Sequence, residues 1–134
     1  MTNEEGAPDV RYQWSTARAG YSSVTPRIVV ADVAAQVNFL RTVFDATAVV
    51  EPGRPAEVRI GDSLILVSSA TERDAFPAFL YVYVADADHT YGRAIAEGAT
   101  TLEAPLDTPY GDRRAMVRDP FGNVFQIAHH LAPA

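Results

Sequence analysis

The chain contains no cysteine. Disulfides, thiolate metal sites and cysteine nucleophiles are therefore excluded, and any metal would have to rely on His, Glu, Asp or Gln. Basic side chains are in deficit, eleven against seventeen acidic ones, for a formal charge of −6. They form no stripe of the kind a phosphate backbone needs, so nucleic acid is not an expected partner. Long apolar runs are missing too: nothing approaches the roughly 20 residues that span a bilayer. The stretch from Met1 to Pro8 is acidic and polar rather than basic and then apolar. A cytoplasmic chain with no export signal and no membrane span is expected.

What is present suits a globular protein. Hydrophobic residues at 48% and charged residues at 21% argue against a disordered or fibrous chain. A length of 134 residues allows one core without a disulfide or metal staple. Residues 1–20 show no clear period and read as an N-terminal extension, in which Tyr12 and Trp14 either hook onto the domain or a partner subunit or merely pin the tail to its own core. Residues 21–134 read as a single domain.

Within it, a β-rich run at Val24–Val30 precedes a helix ending near Phe44, with Asp32 as N-cap and Val33, Val37, Leu40 and Phe44 on one face. Strands follow at Thr47–Glu51, Glu57–Ile60 and Ser63–Ser68. The order then repeats: a strand at Phe79–Val84, a helix capped by Asp86 and closed at Gly98, and strands at Thr100–Ala104, Arg113–Arg118 and Asn123–His129. Superposing Val-Ala-Asp at 30–32 on Val-Ala-Asp at 84–86 aligns two β-α-β-β-β units, about 21–72 and 77–131.

Several segments carry a resemblance. They are Val24-Thr25-Pro26-Arg27-Ile28-Val29-Val30, Tyr83-Val84-Ala85-Asp86, Glu97-Gly98-Ala99, Pro109-Tyr110-Gly111-Asp112-Arg113 and Arg118-Asp119-Pro120-Phe121-Gly122-Asn123. In this order they resemble the glyoxalase/bleomycin-resistance/extradiol-dioxygenase (vicinal oxygen chelate) superfamily. The resemblance implies an α+β fold in which two βαβββ modules form an incomplete barrel around a pocket, usually within a homodimer. It also implies, in the enzymes, a divalent metal held by the first and last strands of each module. Carried over position by position, the ligands fall on Thr25, Ile65 (to within a residue or two), Phe79 and Gln126. These cannot replace His and Glu on a catalytic cation, so a metal-free pocket without cofactor is expected.

Alternation along the strands gives the pocket lining. Thr25, Arg27 and Val29 share one face, as do Phe79, Tyr81 and Tyr83, and Gln126, Ala128 and His130. Ile28, Val30, Leu80, Val82, Val84, Phe125 and Ile127 face the helices. The predicted ligand-binding set is therefore Thr25, Arg27, Phe79, Tyr81, Tyr83, Gln126 and His130, suited to a planar ligand bearing an acceptor that Arg27 grips. Otherwise Arg27 pairs with an acid such as Glu57 while the tyrosines fill the barrel. A buried guanidinium would require one partner or the other. His129 and His130 point to opposite faces, and His89 lies on the second helix, so the histidines are not expected to converge. The segment Tyr110–Arg114 reads equally as a pocket edge or a flexible turn.

The leading functional expectation is a small-molecule-binding homodimer, acting by antibiotic sequestration or ligand carriage. The alternative is an isomerase, lyase or dioxygenase, either metal-dependent or using Tyr81, Gln126 or His130 for proton transfer. A structural or regulatory dimer with a filled interior is the third.

Overall fold

The computed structural model describes residues 16–71 and 73–133, so the hook assigned to Tyr12 and Trp14 lies outside the described residues. The elements are β1 (Arg27–Val30), α1 (Val33–Phe44), β2 (Thr47–Val49), β3 (Ala56–Ile60), β4 (Ser63–Ser69), β5 (Phe79–Tyr83), α2 (Ala87–Ala96), β6 (Thr100–Asp107), β7 (Asp112–Arg118) and β8 (Val124–His130). Asp32 and Asp86 cap the helices as their positions predict, accepting from the amides of Ala35 and His89. Gly98 follows α2 at φ +98°, where a side chain would be strained.

Two boundaries depart from the sequence reading for identifiable reasons. β1 begins at Arg27 rather than Val24. Pro26 has no N–H to give the ladder, and pairing opens with its carbonyl, which accepts from the Leu66 amide at 2.9 Å. β6 runs past Ala104 and through Pro105 to Asp107. It is an edge strand with two breaks of register against β7, and such positions tolerate proline.

Each βαβββ unit makes its own four-stranded sheet, ordered β1-β4-β3-β2 and β5-β8-β7-β6. In both, the first strand runs parallel to the last and the remaining pairs are antiparallel, so the repeat seen in the order of elements is also a repeat of topology. The α+β class and the two modules hold. The sheets, however, are not closed into a barrel: β1 and β5 each end a sheet. Among the described residues no strand ladder joins the modules, only an isolated bridge from Val29 to Phe76.

The modules meet instead through their helix-covered faces. Phe39 and Phe44 of α1 pack on Phe125 of β8, with ring centroids 6.3 and 5.3 Å apart, and Phe39 meets Phe121 edge-on. Ile28, Leu40, Val58, Val67, Val117, Phe125 and Ile127 are buried in the same core. A polar link crosses it. Gln36 of α1 donates to Asp119 at 2.9 Å and accepts from Asn123 at 2.9 Å, while Asn123 accepts from the Ala78 amide at 2.8 Å. All three side chains are buried, and each has its partners.

Candidate functional site

The helix-side face of the second sheet is filled, and its other face is open. On β5, Leu80 and Val82 pack against the core while Phe79, Tyr81 and Tyr83 are 66%, 38% and 61% exposed. The register extends this face across the sheet. Tyr81 lies beside Gln126 and Gln126 beside Met116; Tyr83 lies beside Ala128, which lies beside Arg114; His130 lies beside Asp112. Five of the seven expected site residues, Phe79, Tyr81, Tyr83, Gln126 and His130, thus share one surface.

Its centre is a residue outside that set. Asp112 is buried, and its Oδ2 accepts from the phenols of Tyr81 at 2.6 Å and Tyr83 at 2.7 Å, while Oδ1 meets His130 Nδ1 at 3.0 Å. Hydrogen bonds from Tyr81, His130 and Tyr83 hold the Asp112 carboxyl down to about 2, so it is ionised at neutral pH. Burial and the bond to Asp112 push the Tyr81 phenol up, and the bond to Asp112 does the same for Tyr83. Both phenols therefore stay protonated and fixed in direction. With Nδ1 donating to a carboxylate, His130 presents Nε2 outward from a side chain that is 69% exposed.

The Tyr110–Arg114 segment resolves as the wall of this site. The Tyr110 hydroxyl lies 3.3 Å from that of Tyr81 and accepts from Arg114 at 2.8 Å, and Arg114 is paired with Glu103 on β6. Arg113 points to the other face and pairs with Asp88 and Asp107 at 3.0 and 3.2 Å. The histidines do not converge. His129 Nδ1 accepts from the Ala87 amide at the start of α2, and His89 is exposed in that helix's first turn.

Thr25 and Arg27 are not gathered with the rest. Thr25 precedes β1, so strand alternation does not orient it. Arg27 does lie on the face opposite Ile28, but it is exposed, so the expected cost of a buried guanidinium does not arise. Glu57, its proposed partner, instead accepts from Tyr21 at 2.6 Å and pairs with Arg54 at 3.0 Å. Tyr81 and Tyr83 line a hollow of about 260 Å³ with Pro26, Ile65 and the β3–β4 turn, whereas Arg27 lines separate hollows beside Arg54 and Pro55.

The residues at the transferred metal positions do not fit a metal. Ile65 faces the core; the open-face position beside Arg27 is Leu66, so the count along β4 is one residue out. Thr25, Leu66, Phe79 and Gln126 supply one hydroxyl and one amide and no imidazole or carboxylate. Asp112 was missed because an aspartate opening a strand reads as a turn residue. The missing signal was register: residues equally distant from Phe121 pair across the β7–β8 turn, which sets Asp112 against His130.

Comparison with known proteins agrees with this architecture. A sequence model of the Glyoxalase/Bleomycin resistance protein/Dioxygenase superfamily matches residues 22–127. An uncharacterised protein of Mycobacterium bovis is 29% identical over 126 aligned positions, covering 78% of this chain and 81% of that protein. Among solved structures, a glyoxalase/bleomycin resistance protein/dioxygenase family enzyme from Burkholderia phytofirmans is 25% identical with a TM-score of 0.70, covering 86% of this chain and all of the other. TioX from a Micromonospora species shares the fold at 24% identity, with a TM-score of 0.66 over 81% of this chain and all of its own.

Proposed function

Since the chain belongs to the glyoxalase/bleomycin-resistance/dioxygenase superfamily, we propose that it is a member that binds a small molecule without a metal or other cofactor, holding it for sequestration or carriage. The observation that carries this reading is the aromatic face of β5, open to solvent yet wired to a buried carboxylate. Exposed aromatics in a contiguous row mark binding surfaces. Three donors fixed on Asp112 give this one a pre-set polar pattern, which lowers the ordering cost of binding.

The proposed ligand is planar, stacks on Phe79, Tyr81 and Tyr83, and meets Gln126 and His130 Nε2 through acceptor or donor groups. Thr25 and Arg27 complete the set from the first sheet of a second copy, in a homodimer that also covers the open edges of β1 and β5. Static light scattering at micromolar concentrations should return twice the chain mass; a monomer mass throughout would remove the basis for the composite site.

Binding is tested by screening planar aromatic acids for a thermal shift and repeating the hits on Tyr83→Ala and Gln126→Leu. Each variant is expected to weaken binding about tenfold or more. Gln126→Leu should leave unliganded melting nearly unchanged, whereas Tyr83→Ala, which takes a donor from the buried Asp112 carboxylate, should also lower it. Hits that bind both variants as well as the parent would place the ligand elsewhere.

One observation favours a second reading. His130 is oriented by Asp112 with a free Nε2, the arrangement of a general base held in one tautomer. A metal-free proton-transfer enzyme would release altered product from a bound compound, and would lose turnover but not affinity in His130→Gln.

A further inference from the structure

On the first module lies a hollow of about 510 Å³ whose lining includes Arg27, Arg54 and Arg73 with the hydroxyl side chains of Ser68, Ser69 and Thr71. A second hollow shares Arg27, Arg54 and Pro55 with it and adds Arg18 and Tyr21. Four arginines thus line two neighbouring hollows that share Arg27 and Arg54, on a chain whose formal charge is −6. Among the described residues the carboxylates facing them are few. Glu51 lines the first hollow and, with Glu57, is paired to Arg54 at 3.4 and 3.0 Å. Among the described residues, Arg18, Arg27 and Arg73 have no carboxylate within ion-pair distance.

We infer that this hollow is an oxyanion site, taking a carboxylate or phosphate group between Arg27 and Arg73 with Ser68 and Thr71 as neutral donors. Like charges held around one concavity repel until an anion enters, and guanidiniums offer the forked donors that carboxylate and phosphate accept in pairs. Arg54 is already balanced by its two glutamates, so it frames the hollow, and among the described residues the charge not paired to a carboxylate there is that of Arg27 and Arg73. The inference deepens the binding reading above, since it assigns the acidic end of the ligand to the first module while the aromatic body lies on β5. It shares only Arg27 with the set above, standing otherwise on Arg73, Ser68 and Thr71, and can fail separately.

Inorganic phosphate is the probe, titrated into the whole protein and followed by ³¹P line broadening and by calorimetry at constant ionic strength. Saturable binding at one site per chain is expected, weakened at least tenfold in Arg27→Gln and in Arg73→Gln and unchanged in Arg41→Gln, whose arginine lies on α1 away from the hollow. Tyr83→Ala should bind phosphate as the parent does; that result together with no aromatic ligand would keep the anion site and sink the aromatic one. The inference is overturned if phosphate fails to saturate, or if Arg27→Gln and Arg73→Gln bind it no worse than Arg41→Gln.

Discussion

Replacing Asn123 by alanine should destabilise the protein by about 3 kcal/mol and lower its melting temperature by about 10 °C. The side chain is buried and closes two bonds at once: its carbonyl accepts from the Ala78 amide just ahead of β5, and its amide donates to Gln36 on α1. Truncation leaves a half-buried N–H and a buried amide oxygen without partners, and a buried orphan costs about 1–3 kcal/mol. Asn123→Asp is the sharper variant. It keeps the acceptor for Ala78 but turns an oxygen toward Gln36 Oε1, so the loss should deepen as pH rises and the new carboxyl ionises. Gln36 cannot turn over to help, because its Nε2 already serves Asp119 at 2.9 Å. Urea unfolding of Asn123→Ala, Gln36→Leu and the double variant should show losses that are far from additive, since all three groups form one network. Additive losses would mean that the link across the modules carries little energy.

That network explains why the turn Asp119–Asn123 stands out in the sequence while its role does not. Asp119, Pro120 and Gly122 are residue types any tight turn selects. Asp119 does bind its own turn, accepting from the amides of Phe121 and Asn123. Its second oxygen, however, reaches a glutamine 83 positions away, which no local pattern contains.

The same division runs through the rest of the chain. Helix caps at Asp32 and Asp86 and the alternation on β5 and β8 are local properties, and they were legible. The side of β4 that meets the open face was not, because the ladder to β1 sets Leu66 beside Arg27, one residue from the transferred position Ile65. Arg27 was placed on the correct face, but whether that face is covered depends on how two sheets sit together. Strand alternation says nothing about that, and the barrel was an implication of resemblance.

Removing the Asp112 carboxylate should have the largest effect on the candidate site. In Asp112→Asn the side chain keeps its shape but cannot be an acceptor-only partner for two phenols and an imidazole, so at least one donor loses its bond. Three consequences are expected. The melting temperature at neutral pH should fall by about 5–10 °C, and binding to the β5 face should be lost, because Tyr81, Tyr83 and His130 lose their common anchor. Acid stability should change in a defined direction. The folded carboxyl lies at about 2, below the unfolded value of about 3.9. Its stabilisation is therefore present above about pH 4 and is lost as pH falls from about 4 toward 2. The parent should lose stability through that window, and Asp112→Asn should lose less. Tyrosine ionisation supplies a readout that simple destabilisation would not mimic. Two of the six tyrosines are held protonated by this carboxylate, so the folded parent should show a high-pH lag in phenolate absorbance. Asp112→Asn should bring the Tyr81 and Tyr83 part of that phase toward ordinary tyrosine values, while the separate upward push on Tyr21, set by its bond to Glu57, stays. An identical absorbance titration in both proteins would mean that Tyr81 and Tyr83 are not anchored on Asp112 in solution, and the pre-set polar pattern on which the binding reading rests would go with it.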